Sequence, residues 1–200
     1  MKIILISTPR SGSTSLMMGL SESLGLKYYF QPFNHLAWKG IPQSIEYHNC
    51  IVKTMIDEIP DKLADCVKFY IDFCKKFDKV ILLSRKDLTS CAESLGYNLK
   101  HYNNYDKSDY WHKEYFYNNR EIDIDSHVNY LKKINDKLIE FSEEINLPID
   151  YYEEIFSGNM NSIEYFTKKH NLICDVDILR NHINPINKLR KGNVENNKII

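Results

Sequence analysis

The chain has 200 residues, 43% of them hydrophobic, and a net charge of −1 at pH 7. This length and composition predict one compact domain, residues 1–200, with a buried core, and they exclude a disordered chain. The balanced charge gives no reason to expect nucleic acid or a membrane surface as a partner, and no apolar segment approaches the ~20 residues of a membrane span.

The first part of the chain predicts two strands around a helix. An apolar strand is expected over Ile3–Ser7, a helix over Ser13–Leu24 and a short strand over Lys27–Phe30. Gly25 directly follows the helix, where a left-handed residue commonly ends one. Because the chain enters its first strand at once, we expect no signal peptide and a cytoplasmic protein.

The middle of the chain continues this alternation of strands and helices. Cys50–Met55 and Lys79–Ser84 are apolar segments of strand length. Between them, Asp61 is predicted to cap a helix that extends to Phe77. A further helix is predicted over Asp87–Leu99.

The second half predicts a similar arrangement after an irregular segment. Residues 101–120 show no period and are expected to form a surface excursion or lid, whereas Ser126–Ile145 has the apolar spacing of an amphipathic helix. A strand over Pro148–Tyr152 and a helix over Asn161–His170 follow, and residues 184–200 show no core pattern. The alternation predicts an α/β fold with a central parallel sheet flanked by helices, in which ligands bind beyond the carboxyl ends of the strands.

The turn after the first strand carries the strongest functional signal. It reads Thr8-Pro9-Arg10-Ser11-Gly12-Ser13-Thr14-Ser15 and joins a predicted strand to a predicted helix. Backbone N–H groups in such a turn, at the positive end of the helix dipole, bind anions. Arg10 adds a positive charge, and hydroxyl donors come from Ser11, Ser13, Thr14 and Ser15. The turn lacks the second glycine and the lysine of a Walker A loop.

Two further segments contain arginine, which is scarce in a chain with 21 lysines and five arginines. Arg85 follows the strand predicted over Lys79–Ser84, and Ser90 and Ser94 lie one turn apart on the next helix. The triplet Arg190-Lys191-Gly192 stands near the C-terminus. Because arginine presents a planar fork that matches phosphate or sulfate, these arginines mark candidate anion-binding positions. Arg10 and Arg85 both follow predicted strands, so one site is expected to hold both.

These segments, in this order, resemble the sulfotransferases that use 3′-phosphoadenosine 5′-phosphosulfate (PAPS), the carbohydrate-type members in particular. The resemblance implies a P-loop-NTPase-like sulfotransferase fold in which the turn from Arg10 to Ser15 binds the 5′-phosphosulfate. It implies that Arg85 and Ser94, with Ser90 as the alternative to Ser94, bind the 3′-phosphate, and that Arg190, Lys191 and Gly192 close over it. Tyr151-Tyr152-Glu153 also resembles a late Tyr-Glu strand of the family. The implied product is adenosine 3′,5′-bisphosphate.

The resemblance also implies a reacting centre. Lys53 resembles a family lysine close to the transferred group, and Arg10 is expected to neutralise the leaving phosphate. The family's two general-base positions carry non-basic residues here. Gln31 stands where carbohydrate enzymes have Glu, and Met55 where small-molecule enzymes have His.

Three other residues are candidates for the general base: His35, Glu46 and His48. We favour His35, because it lies in the matching loop and an imidazole titrates near neutral pH. Two alternatives remain open. In the first, the acceptor is an amine or is acidic enough to need no strong base. In the second, the chain has lost catalysis.

The sequence therefore predicts transfer of a sulfuryl group from PAPS to a hydroxyl or amine of a small-molecule or carbohydrate acceptor. Four aromatic residues are candidates either for the acceptor pocket or for core packing: Tyr28, Tyr29, Phe33 and Trp38. The five cysteines show no metal-ligand spacing, so no metal is expected. The alternatives are a non-catalytic protein that binds PAPS or another nucleotide, and a P-loop small-molecule kinase. Abundant Ile, Lys and Asn, with A/T-rich codons, fit a phage or microbial source.

Overall fold

The computed structural model describes residues 1–33, 48–59, 65–101, 123–157 and 159–183. They form an α/β domain around a five-stranded sheet in which every pair of neighbouring strands is parallel. The strands are β1 (Lys2–Ser7), β2 (Lys27–Phe30), β3 (Cys50–Met55), β4 (Lys79–Ser84) and β5 (Ile149–Tyr151), in the order β2-β3-β1-β4-β5. The predicted fold class, a parallel sheet flanked by helices, is confirmed.

Seven helices lie within the described ranges, and none is both long and apolar enough to cross a bilayer. They are α1 (Ser13–Leu24), α2 (Cys66–Cys74), α3 (Leu88–His101), α4 (Ile124–Glu144), α5 (Tyr152–Ile155), α6 (Met160–Lys169) and α7 (Val176–Ile183). Gly25 ends α1 in the left-handed conformation, with φ 63°, as the sequence predicts.

Some helix boundaries differ from the sequence prediction. Asp61, the predicted cap of α2, lies outside the described residues, and Asp65 instead caps that helix by accepting the Lys68 N–H at 3.1 Å. The last predicted strand ends one residue early because Tyr152 begins the short helix α5. Neither α5 nor α7 was predicted, since one turn of helix and an eight-residue segment give too few residues for a clear period.

The centre of the sheet is buried on both faces, which explains the continuous apolar run of β1. Ile4 and Ile6 point to the face covered by α2 and α4. Ile3 and Leu5 point to the opposite face, which is covered by α1, α6 and α7. Alternate residues of one strand therefore contribute to two cores, as expected for a central parallel strand.

The connections that leave β1 and β4 diverge. The connection from β1 runs through α1 to β2 at one edge of the sheet, and that from β4 runs past α4 to β5 at the other edge. The helices α1 and α4 of these connections pack on opposite faces of the sheet. Such a divergence opens a crevice outside the carboxyl ends of the two strands, the usual place for a ligand in open α/β sheets.

Candidate functional site

The turn after β1 is fixed against the end of β4. The Thr8 N–H donates to the Leu83 carbonyl oxygen at 3.1 Å, and Thr8 Oγ1 lies 3.3 Å from Ser84 Oγ. The buried Ser11 hydroxyl donates to the Thr8 carbonyl oxygen at 2.8 Å, so it braces the turn. Ser13 is also buried, whereas Thr14 is exposed at the first turn of α1. Of these predicted hydroxyl donors, Thr14 is the one most open to a ligand.

The N-terminus of α1 has no side-chain cap from the part of the chain that the structure describes. Gly12 occupies the N-cap position in the left-handed region, with φ 81° and no side chain to accept a hydrogen bond. Arg10, two residues earlier, is also left-handed, with φ 60°. Since the first N–H groups of a helix have no intrahelical partner and carry partial positive charge, the geometry suits an anion at this position.

Gly12 is also held close to two aromatic rings. A Cβ atom at this position would lie 2.8 Å from the ring of Tyr152 and 2.9 Å from that of Phe156. These two rings are stacked on each other with centroids 4.3 Å apart. A glycine is therefore needed here both for its backbone conformation and for the approach of the rings.

We expect Gly12→Ala to lower the free energy of unfolding by about 2–4 kcal/mol, because it combines left-handed strain with overpacking. Gly25→Ala is the matched control, since Gly25 is also left-handed but a Cβ atom there would have no described atom within 4 Å. That control should lose only about 1–2 kcal/mol. Urea unfolding of both variants measures the difference, and equal losses would show that the aromatic contact carries no weight.

Arg10 brings two of the predicted segments together. Its Nε donates to Ser94 Oγ at 3.0 Å, across 84 residues of sequence. The Cys91 thiol lies on the same helix, with Sγ 3.9 Å from the Arg10 carbonyl oxygen. Ser90, the alternative to Ser94, is bound to Asp87, whose carboxylate caps α3 by accepting from both the N–H and the hydroxyl of Ser90. Ser94 is therefore the serine that faces the turn.

Arg85 lies beside the same turn, and aromatic and acidic groups hold its guanidinium. Its Cζ lies 4.5 Å from the centre of the Tyr152 ring, and its Nε lies 3.7 Å from Glu153 Oε1. The Nε is buried and makes no hydrogen bond to any described residue. Glu153 also accepts from the backbone N–H groups of Lys86 and Asp87 at 3.0–3.1 Å, so a carboxylate occupies the N-terminal approach to α3.

Lys53 lies on β3 and is 3% exposed. Its ammonium lies 4.7 Å from the centre of the Phe30 ring, and no residue of the described ranges accepts a hydrogen bond from it. Burial lowers the pKa of Lys53 to about 8. The carboxylates of Glu58 and Asp57 oppose this shift, and the charge of Arg10 adds to it. A buried ammonium from which no described residue accepts a hydrogen bond is costly, so the position suits an anionic ligand.

Two buried acidic residues follow β3, and the sequence analysis did not identify them. Glu58 is fully buried, with Oε1 accepting from the Met55 N–H at 3.0 Å and Oε2 lying 2.8 Å from Thr54 Oγ1. Burial raises the pKa of Glu58 to about 7, although the charge of Lys53 opposes the shift. Asp57 accepts from the Tyr130 hydroxyl at 2.8 Å. The available signal was two consecutive carboxylates directly after the strand that carries Lys53.

The candidate general bases have different positions relative to this edge. His48 precedes β3, so it lies at the amino ends of the strands, away from Arg10 and Ser94. Gln31 directly follows β2 in the left-handed region, with φ 46°, and its N–H donates to the Lys53 carbonyl oxygen at 2.7 Å. The backbone of Gln31 therefore lies beside the backbone of Lys53 at the carboxyl ends of the strands, whereas His48 lies at the opposite edge of the sheet.

Several predicted site residues lie outside the described residues: His35, Glu46, Arg190, Lys191 and Gly192. The same holds for Trp38 among the aromatic candidates. Phe33 packs edge to face against Phe69, Tyr70 and Phe73, with centroids 5.0–6.0 Å apart, so it belongs to the core. Tyr28 is 55% exposed and Tyr29 packs against the core.

Neither protein-family models nor curated proteins give a match to this chain. Among the residues that the structure describes, no group of three or more His, Cys, Asp or Glu side chains is arranged to hold a metal ion.

Proposed function

We propose that the chain is a PAPS-dependent sulfotransferase that acts on a hydroxyl or amine acceptor, a small molecule or a carbohydrate, in the cytoplasm. The observation that carries the proposal is the contact between Arg10 Nε and Ser94 Oγ. It joins the turn after β1 to the helix after β4, two segments that the family resemblance assigns to the 5′-phosphosulfate and the 3′-phosphate of one nucleotide.

Four features of this edge fit a ligand with several negative charges, although the Glu153 carboxylate lies 3.7 Å from Arg85 Nε on the same side of the sheet's edge. The uncapped N-terminus of α1, the fork of Arg10 and the buried ammonium of Lys53 are all electropositive. Arg85 contributes a buried Nε that makes no hydrogen bond within the described ranges. The cofactor would supply an activated sulfuryl group, and the four features above are the ones that would hold it.

The chain's own residues contribute position and charge. Arg10 and the first N–H groups of α1 bind and neutralise phosphate oxygens, and Lys53 places a charge where the environment is dry and electrostatic effects are large. The Tyr152 ring supports both Gly12 and the Arg85 guanidinium, so it fixes the two sides of the crevice relative to each other. Positioning of this kind is the main contribution expected in a group transfer with a loosely bonded transition state.

A second candidate is a protein that binds PAPS or another nucleotide without transferring sulfate. The observation that favours it is Gln31, because it stands where the family's carbohydrate enzymes have Glu and an amide cannot serve as a general base. A kinase is disfavoured by the turn itself, which lacks the Walker A glycine and lysine.

Transfer of labelled sulfate from PAPS to a broad panel of alcohols, amines and sugars separates these functions. A sulfotransferase gives a labelled product that persists with EDTA, and Arg10→Ala reduces its formation about 10²–10³-fold. Binding of adenosine 3′,5′-bisphosphate without transfer to any acceptor would favour the second candidate. Phosphate transfer from ATP that needs Mg²⁺ would overturn both.

A further inference from the structure

Three short oxygen–oxygen contacts run in series at the end of β3. Glu58 Oε2 lies 2.8 Å from Thr54 Oγ1, Thr54 Oγ1 lies 2.8 Å from the Tyr70 hydroxyl, and that hydroxyl lies 2.8 Å from the Met55 carbonyl oxygen. Thr54, Glu58 and Tyr70 are all fully buried.

Each of the three contacts requires one proton, because two oxygens at this distance without a proton between them repel each other. Thr54 and Tyr70 each carry one hydroxyl proton, and the Met55 carbonyl carries none. An ionised Glu58 therefore leaves one contact without a proton. A neutral Glu58 donates to Thr54, Thr54 donates to Tyr70, and Tyr70 donates to Met55, which completes the series.

We propose that Glu58 is a neutral carboxylic acid in the folded protein, with its proton directed at Thr54, and that this proton is the pH-sensitive element of the β3 edge. The other carboxyl oxygen is consistent with this state, because Oε1 accepts from the Met55 N–H and needs no charge to do so. The Met55 carbonyl has room for the Tyr70 proton beside the Glu58 N–H that it also accepts at 3.0 Å.

The charged surroundings favour loss of this proton near neutrality. Burial, which has the largest effect, and the charge of Asp57 stabilise the acid, whereas Lys53 and hydrogen bonds from Thr54 and the Met55 N–H stabilise the carboxylate. The net result is a pKa of about 7 for Glu58. On α2, burial raises the pKa of the Tyr70 hydroxyl, and the nearby Cys66 raises it further. The charge of Arg10, in the turn after β1, lowers the pKa of Lys53. The Tyr130 hydroxyl, on α4, donates a hydrogen bond to Asp57.

Infrared spectroscopy tests the proton directly and needs no ligand. At about pH 6 ordinary exposed carboxyl groups, with pKa values near 4, are ionised. The difference spectrum between the wild type and Glu58→Gln should then contain one carboxylic-acid carbonyl band, which disappears with a midpoint near pH 7. Absence of that band at pH 6 would overturn the proposal.

Unfolding in urea gives a second measurement on the same pair. Glutamine reproduces the neutral acid, since its NH₂ donates to Thr54 and its oxygen accepts from Met55. The folded pKa of Glu58, about 7, exceeds its ordinary value of 4.5, so wild-type stability falls as pH rises between these values. Relative to Glu58→Gln, the unfolding equilibrium constant of the wild type should rise by up to about 100-fold across this window. A ratio that does not change with pH would contradict the proposal.

Tyr70→Phe tests the series of donors. Without the tyrosine hydroxyl, the Thr54 proton is free to bind the Glu58 carboxylate, so the midpoint of the infrared band should move to lower pH. The ring and its packing are retained, which limits the effect on the core. A midpoint that stays at the wild-type pH would show that Tyr70 does not impose the neutral state.

One consequence for the site rests on the proposed function. An ionised Glu58 stabilises the Lys53 ammonium, so Glu58 acts as a positioning residue through Lys53. With Glu58→Gln, the loss of transfer activity at alkaline pH should begin at lower pH than in the wild type. An unchanged alkaline limb, together with the expected infrared band, would reject this role and leave the proton assignment standing. No transfer in the wild type at any pH would reject the proposed function instead.

Discussion

Arg10→Ala should reduce sulfate transfer by about 10²–10³-fold, the usual loss when one donor to a developing negative charge is removed. Arg10 is left-handed in the turn and already spans the distance from α1 to Ser94, so its fork is positioned before a ligand binds. Its removal also leaves the N-terminus of α1 as the main remaining anion-binding feature of the turn. Binding of adenosine 3′,5′-bisphosphate should weaken roughly 10–100-fold, as expected for lost charge-assisted hydrogen bonds.

Arg180→Ala is the matched control, because it removes the same charge from an exposed position on α7. Calorimetry and the labelled-sulfate assay should not distinguish this variant from the wild type. Arg10→Lys should be intermediate, since lysine retains the charge without the planar fork. If the alanine variants of both arginines lost activity equally, net charge alone would be responsible and the turn would have no special role.

Lys53→Met should reduce sulfate transfer by about 10²-fold or more. The same variant should be at least as stable as the wild type. Burial lowers the pKa of Lys53 to about 8, which means that the folded protein at pH 7 holds an unfavourable charge. Methionine has a similar length and no charge, and at pH 6 the proposed neutral Glu58 needs no charged partner. The free energy of unfolding at pH 6 should therefore stay unchanged or rise by up to about 2 kcal/mol. Loss of activity with gain of stability is the signature of a residue kept for a ligand.

Lys68→Met provides the control for that experiment, because Lys68 is an exposed residue in the first turn of α2, outside the crevice between β1 and β4. Its activity and its urea midpoint should both match the wild type. A Lys53→Met protein that unfolds more easily than the wild type would contradict the interpretation, since Lys53 would then be a structural residue.

The parallel sheet was predictable because its strands are short apolar runs separated by longer helical segments. Ile3–Ser7 and Lys79–Ser84 contain little besides core residues, so their burial follows from composition. Parallel strands also end at one edge, which is why sequence alone could place Arg10 and Arg85 near a common site. The contact between Arg10 and Ser94 needed the structure, because strand order is not encoded in local patterns.

The remaining features of the site depend on tertiary contacts. Glu58 follows Lys53 by five residues, but only the packing of α2 against β3 shows that it is buried beside Thr54 and Tyr70. The sequence analysis identified Tyr152 as part of the Tyr151-Tyr152-Glu153 motif. Its contacts with Gly12 and Arg85 depend on α5, a single helical turn that is too short to show a period in the sequence. The position of His48 at the amino edge, by contrast, already follows from the strand predicted over Cys50–Met55, because His48 precedes it in the sequence.

Calorimetric titration with adenosine 3′,5′-bisphosphate is the most direct test of the central claim, that the crevice between β1 and β4 holds a nucleotide with both a 3′- and a 5′-phosphate. We predict saturable binding that weakens roughly 10–100-fold when the 3′-phosphate is absent, as in adenosine 5′-monophosphate, and by a similar factor in Arg10→Ala. No binding of the bisphosphate, or equal affinity for the two nucleotides, would contradict the account.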